Sequence, residues 1–386
     1  MPDEPRLRRS SLLAGVAEGV VATALPLLAT NITRDPLAVA GVVVAQHLPW
    51  IGVALGWHLV SRRDRRTMIG LIDTVRALAV GYLGLLALAG ADTILKIQVV
   101  AFIVGLGEAL TGTIEEETGD SRLSMRGMLG LAVIGMPLGG LLYAVFLAVP
   151  FMIDVLFFAL AALFALFIPG PVRAARSLGD SSPARLAEGT LPVTITALVA
   201  SVARSAVLGV LVLFALDNLG LGAPAFGFLL AGLAAATAAG GWVAPEAGTA
   251  LGLRRGFAVA SVVSGVALVI AATVADPARP WAAALALGIA WASATTGMVL
   301  LRALLPVAAG RPVTGPALRA FHLVEWGGLC GGALAGGWLA RGHGVDVVLV
   351  WAAGAWAVAA VSVAVVRRSE PAMTISTDSA NWLDAA

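Results

Sequence analysis

Between residues 11 and 366 the chain offers one apolar window after another, each of about 20 residues, enough for a helix to cross about 30 Å of hydrocarbon. The windows run 11–31, 37–60, 67–90, 93–114, 127–148, 150–170, 191–215, 224–244, 255–275, 281–305, 317–340 and 344–366. None alternates polar and apolar residues as a membrane barrel strand must. The expectation is therefore an all-α integral membrane protein with twelve transmembrane helices. The breaks carry turn chemistry at Thr33-Arg34-Asp35-Pro36, Asp276-Pro277, Gly310-Arg311-Pro312 and Gly342-His343-Gly344. Composition agrees: 12% of residues are charged and 59% hydrophobic, whereas a soluble domain carries about 25% charge. Such a chain cannot cover itself with polar surface, and lipid must be its solvent.

The charge that remains sets the topology. The knot Ser61-Arg62-Arg63-Asp64-Arg65-Arg66 separates the second and third windows and must lie where water is. With the N-terminus inside, eighteen arginines fall in cytoplasmic segments, against Arg34, Lys96, Arg279 and Arg341 outside. That bias follows the positive-inside rule and places both termini in the cytoplasm. The basic residues Arg6, Arg8 and Arg9 precede a run long enough to span, so the first window reads as a retained helix and not a cleaved signal. Arginines scattered singly and in pairs are no nucleic-acid signature. Four dispersed histidines and the single Cys330 make no metal cluster and no internal disulfide. No Walker loop is present, so ATP does not drive the chain directly. No cofactor and no enzymatic activity are expected.

The polar stretch 172–190 splits the chain into halves 11–171 and 191–368, flanked by a cytoplasmic segment 1–10 and a polar tail 369–386 expected to be disordered. The halves resemble each other weakly. Pro36 to Trp57 parallels Pro224 to Trp242, with Gly41 opposite Gly227. Two parallel six-helix repeats are one large transporter layout. The same register sets Glu18 opposite Arg204, an acid and a base at corresponding points of the two halves.

Particular residues then carry a family resemblance. Glu18 lies within Gly15-Val16-Ala17-Glu18-Gly19 of the first window, and Gln46-His47-Leu48-Pro49-Trp50 follows in the second. Arg62, Asp64, Arg65 and Arg66 form a charged loop, with Asp73 and Arg76 just beyond it. Gly107-Glu108-Ala109-Leu110 ends the fourth window, and Gly135-Met136-Pro137-Leu138-Gly139-Gly140 lies in the fifth. Leu301-Arg302 and Trp326-Gly327 fall in the tenth and eleventh. In order and spacing, from about Leu12 to Val366, the chain resembles the major facilitator superfamily, and within it the actinobacterial multidrug and siderophore efflux branch. It departs from the family's loop motif at Trp57 and Ser61, where a glycine and an aspartate are usual. Gly315-Pro316 stands in place of a Gly-Arg pair, and Glu115 to Asp120 is shorter and more acidic than the usual connection.

The resemblance implies two pseudo-symmetric six-helix bundles in the major facilitator fold, with the first, fourth, seventh and tenth helices facing a central cavity. Glu18, Arg204 and Glu108 would then face that cavity as proton-coupling or substrate residues; the competing readings are a Glu18–Arg204 ion pair that only pins the halves together and a Glu108 that snorkels to the cytoplasmic interface. Glu325, one helical turn from His322, is a further proton-site candidate; a gate-side salt link is the competing reading. Arg62, Asp64, Arg65, Arg66, Asp73 and Arg76 would form the gating loop motif, Asp73 and Arg76 pairing structurally with the loop. Gly135, Pro137, Gly139 and Gly140 would form the antiporter-like motif, glycines letting backbones touch and proline bending the helix. Asp154 reads as an interfacial or cap-like carboxylate, and Arg302 as a snorkelling end residue. Trp57, Trp242, Trp281 and Trp338 read as interfacial anchors, while the deeper Trp50 and Trp291 read as packing residues, with contact to an aromatic-tolerant substrate as the alternative.

The function expected is secondary active transport in the plasma membrane by a monomer. The leading form is proton-coupled efflux of a small amphipathic molecule, a drug or secondary metabolite, by alternating access. Solute uptake or facilitated diffusion is the nearest alternative, and a transport-dead membrane sensor or scaffold is the third.

Overall fold

The computed structural model describes residues 4–60, 65–90, 92–118, 131–166, 186, 189–310, 313 and 315–365. Among them are twelve α-helices and no strand. They are α1 (Glu4–Ile32), α2 (Pro36–Val60), α3 (Arg65–Ala89), α4 (Ile94–Thr118), α5 (Met136–Val145) and α6 (Val149–Leu166). Then come α7 (Leu191–Leu213), α8 (Ala223–Leu251), α9 (Leu253–Thr273), α10 (Pro280–Ala309), α11 (Gly315–His343) and α12 (Val345–Ser362). A π-helical turn, Leu131–Gly135, leads into α5, and another, Phe214–Asn218, extends α7. Nine helices among the described residues are long and apolar enough to cross a membrane, and the two apolar segments Val133–Val145 and Val149–Ala165 are shorter. Glycine-rich α11, carrying Arg319, Glu325 and Arg341, is not among the nine.

Local chemistry explains where helices stop. Asp35 caps α2 by accepting from the Leu37 amide (3.4 Å), while Pro36 occupies the first helical position, where its missing N–H costs nothing. Gly252 (φ 76°) and Gly344 (φ 96°) break α8 from α9 and α11 from α12 in a single residue. That left-handed backbone is open to glycine at no steric cost.

The chain forms two compact units. The first gathers the described residues of Met1–Gly179 with the segment Leu211–Ala234, which holds the end of α7 and the start of α8. The glycines expected to let backbones touch do so here. A Cβ at Gly135 would lie 2.5 Å from the Val16 carbonyl oxygen, and one at Gly139 2.8 Å from that of Val20, so α5 and α1 meet backbone to backbone. Thr23 donates to the Met136 carbonyl at the same crossing (3.1 Å). Gly140 fits against the Ala223 carbonyl and Pro224, and Gly227 against Met136 and Pro137. Gln98 on α4 donates to the Ala38 carbonyl on α2 (3.1 Å), and Gly105 makes room for the Gln46 backbone. At the α1–α2 turn, Arg34 pairs with Asp217 of the π turn (2.8 Å), both side chains more than half exposed.

The second unit comprises Asp180–Val210 and Ala235–Ala386. Its α7–α11 seam is also glycine-made: Gly328, Gly332 and Gly336 lie against the α7 residues Ser201, Val202 and Ala206, and Ser205 donates to the Gly328 carbonyl (3.4 Å). Thr296 of α10 donates to the Gly240 carbonyl of α8 (2.9 Å), and Ser264 of α9 to the Ala290 carbonyl of α10 (3.1 Å). These small-residue contacts are what helix association in lipid relies on, since apolar burial gives no preference for protein over acyl chains.

Helix α3 shows how such a chain is turned inside out. Leu71, Val75, Leu78, Tyr82 and Leu85 are exposed at helical spacing, a stripe suited to lipid, while Asp73 and Arg76 on the opposite face are buried. Trp242, Trp281 and Trp338 are exposed, as interfacial anchors must be, and Trp291 is buried. Trp50 packs across Gly112. The Trp57 side chain, the loop residues Ser61, Arg62, Arg63 and Asp64, the side chains of Arg65, Arg66, Glu115, Glu116 and Glu117, and Asp120 lie outside the described residues.

Candidate functional site

In the first unit, charge collects around Arg76, near the middle of α3. The guanidinium is 1% exposed. Its Nη1 donates to Glu18 Oε1 on α1 (2.9 Å) and lies 3.6 Å from Asp73 Oδ1, one turn back on α3. Nε and Nη2 both donate to the Val104 carbonyl on α4 (3.3 and 3.2 Å). The Phe158 ring of α6 stands 5.3 Å from Cζ, a cation–π distance. Glycine makes the space, because a Cβ at Gly107 would lie 2.8 Å from the Arg76 Cδ and Cζ atoms. Only a planar, five-donor cation can serve two helices and a ring in this way, so lysine is no substitute.

Two further carboxylates complete the cluster. Glu108 on α4, half-buried, accepts a hydrogen bond from Gln46 of α2 and lies within electrostatic range of Glu18 and Arg76. Asp154 on α6 is 0% exposed and within range of Arg76 and Glu18. The cluster thus holds four carboxyl groups and one guanidinium, drawn from α1, α3, α4 and α6.

The second unit holds a cluster of the opposite sense. Arg302 Nη2 of α10 donates to Glu325 Oε1 of α11 (2.7 Å), and His322 Nδ1 stands 3.4 Å from Glu325 Oε2. Phe321 packs edge-on against the His322 ring at 5.9 Å. Arg204 of α7 is half-buried and feels Glu325 and Arg302 electrostatically, yet among the described residues no carboxylate comes within salt-bridge distance of it. Two guanidinium groups therefore share one carboxylate.

Several expectations change in detail. The i,i+3 pairs Asp73–Arg76 and His322–Glu325 stand where the spacing put them. Arg76, however, points to Glu18, Val104 and Phe158, while the loop it was expected to pair with lies outside the described residues. Glu18 takes its ion-pair partner from its own unit, and Arg204 belongs to the other. Arg302 does not end as a lone snorkelling side chain; it is tied to Glu325. Asp154 is no cap, for its carboxylate is fully buried and neither oxygen has a hydrogen-bond partner. Gly107 and Phe158 were missed as site residues. Gly107 beside Glu108, in a helix facing a buried arginine, was the available signal; nothing in the sequence pointed to Phe158. Among the described residues no group of three or more His, Cys, Asp or Glu side chains is close enough to hold a metal ion.

The fold is the major facilitator fold, an all-helical chain of two units. A bacterial homologue of the iron transporter ferroportin, in its inward-facing state, is similar with a TM-score of 0.73 at 14% identity, covering 94% of this chain and 98% of its own. The nucleoside transporter NupG, in a point-mutant form, reaches 0.74 at 13% identity over 93% of this chain and 98% of its own. A bacterial homologue of the human lysosomal transporter Spinster, inward-facing and unoccupied, reaches 0.65 at 14% over 93% and 95%. No protein-family model matches the sequence, and no curated protein does. With its succession of apolar helices, the chain is a multi-pass membrane protein that shares this fold.

Proposed function

We propose that this protein is a secondary active transporter of the plasma membrane, with both termini cytoplasmic, that exports a small amphipathic molecule in exchange for protons. The observation that carries this reading is the Arg76 cluster. Charged side chains at membrane depth are expensive and mark proton or substrate paths. Four carboxyl groups crowd one guanidinium in a poorly solvated site, an arrangement in which a proton can be held and released as the surroundings change.

In this reading Glu18 and Glu108 are the exchanging acids. Arg76 holds Glu18 ionised when they are paired, and protonation of Glu18 releases it. Arg204, with no carboxylate at salt-bridge distance among the described residues, suits an anionic or hydrogen-bond-accepting group of the substrate. The Arg302–Glu325–His322 set supports that side of the site. In this reading the protein works as a monomer by alternating access and needs no cofactor. Expression in an efflux-deficient host, challenged with a panel of antibiotics and lipophilic cations, should raise resistance to at least one compound, and an uncoupler should abolish the gain. Resistance that survives the uncoupler would overturn proton coupling.

Solute uptake is the second reading, and nucleosides are the first solutes to offer because a protein named a nucleoside transporter has a similar fold. Radiolabelled nucleosides offered to the same host distinguish the two: accumulation above the empty-vector control speaks for uptake, and its absence together with resistance speaks for export.

A further inference from the structure

We infer that Asp154, on α6, is a proton-binding residue of the Arg76 cluster and holds its proton in this conformation. The inference deepens the proton-coupling reading and rests on it for its role in transport. Whether the proton is present is a separate matter, measurable on its own.

Asp154 lies five residues into α6, four residues before Phe158, so the two side chains share one helix face one turn apart. That face is turned to Arg76, because the Phe158 ring stands 5.3 Å from the guanidinium. The helices packed against α6 bring few charges to it. From α1 comes Glu18, from α3 come Asp73 and Arg76, and α5 offers only Tyr143, whose hydroxyl accepts from Asn31 (2.7 Å). The guanidinium is already committed, with Nη1 to Glu18 and with Nε and Nη2 to the Val104 carbonyl. Asp154 is fully buried, and neither carboxylate oxygen receives a hydrogen bond.

An ionised carboxylate without donors in such a place costs several kcal/mol more than a neutral one. Of the other acids, Glu18 is held by Arg76, Asp73 lies 3.6 Å from it, and Glu108 accepts from Gln46. Asp154 is the carboxyl group with neither a hydrogen bond nor an ion pair at contact distance among the described residues, so the proton sits there. Arg76 decides when it leaves: once Glu18 is protonated, the guanidinium is free to turn along the same face toward Asp154, which then ionises and passes its proton on. Glu18 and Asp154 thus alternate as the partner of a single arginine.

The test is an infrared pH titration of the purified protein in lipid nanodiscs, wild type against Asp154→Asn, with Glu18→Gln and Glu108→Gln as controls. At neutral pH the wild type should show the C=O stretch of a protonated, non-hydrogen-bonded carboxyl group. The band should be lost in Asp154→Asn, kept in Glu108→Gln, and weakened or lost in Glu18→Gln, where the neutral amide stands in for protonated Glu18 and frees Arg76 for Asp154. Asparagine mimics the neutral acid, so the variant should fold with an unchanged Tm; if it does not fold, Asp154→Leu, which fills the same apolar space, takes its place. Superimposable wild-type and variant spectra from mildly acidic to mildly alkaline pH would overturn the inference and leave the transport reading standing. A confirmed band with resistance unaffected by Asp154→Asn would show a proton with no part in coupling, and would overturn the alternation with Glu18.

Discussion

Arg76 is the residue on which most depends, and it makes the sharpest mutational forecast. Arg76→Gln takes away the cation that lies 3.6 Å from Asp73 and pairs with Glu18, and it disrupts the hydrogen bonds to Val104. Losing one member of a buried pair costs on the order of 3–5 kcal/mol, so thermal unfolding in detergent should drop clearly. Arg302→Gln in the second unit should cost less, because that guanidinium is 33% exposed and water replaces part of what Glu325 supplied. An equal drop in the two variants would contradict this ranking. Gly107→Ala tests the geometry without touching a charge: its Cβ overlaps the Arg76 side chain, and resistance should fall as it does in Arg76→Gln. How much of the site could be read in advance divides along a physical line. Asp73–Arg76 and His322–Glu325 are pairs within one helix, and spacing alone reveals them. Glu18–Arg76 joins two helices, and linear sequence does not say which faces will meet. The internal repeat put Glu18 opposite Arg204, a correspondence of position and not of contact. Asp154 looked like a cap because it lies near the start of a span; distance along a helix says nothing about which face it occupies.

At the scale of elements, the twelve apolar windows correspond one to one with α1 to α12, since spanning length and charge exclusion are written directly in composition. Their limits were less legible. The described part of the fifth window opens with the π turn Leu131–Gly135, and its α-helix, Met136–Val145, is only 10 residues long. Pro137 sits at the start of that helix, where it fits the first turn, and the bend expected of it falls at a π-to-α junction. The glycines of this segment are packing devices. A Cβ at Gly227 would stand 2.5 Å from the Met136 carbonyl oxygen, a contact only backbone movement can relieve. Gly227→Ala should therefore destabilise by about 1–3 kcal/mol, whereas Gly232→Ala on the same helix, which meets nothing within 4 Å, should be neutral or slightly stabilising. Thermal-shift measurement of both in one detergent checks the pair.

At the scale of the molecule, the sequence places a boundary at 172–190, while the first compact unit also takes in Leu211–Ala234. A repeat is visible because both halves keep similar residues; which helix ends pack together depends on the conformation adopted, and composition does not encode that. Leu211–Ala234 is held in the first unit by Arg34–Asp217 and by the glycine contacts at Gly140 and Gly227, ties that the proposed transport cycle would have to break. The ion pair is exposed, so Asp217→Asn should alter stability by no more than about 1 kcal/mol. It should nevertheless change turnover, because a tie that forms in one state only biases the balance between states. Unchanged transport in Asp217→Asn would remove the pair from the cycle. The opposite charge sense of the two clusters, acid-rich around Arg76 and base-rich around Glu325, fits a division of labour in which one unit handles protons and the other the substrate.

That division rests on Glu18 as the acid Arg76 controls. The most direct test is accumulation of the compound identified by the resistance panel in energised cells, wild type against Glu18→Gln at equal membrane abundance. Wild-type protein should lower accumulation, and an uncoupler should restore it. Glu18→Gln should match the uncoupled cells and no longer respond to external pH. A Glu18→Gln variant that extrudes the compound as well as the wild type, with the same pH dependence, would refute the assignment of Glu18 as the coupling acid.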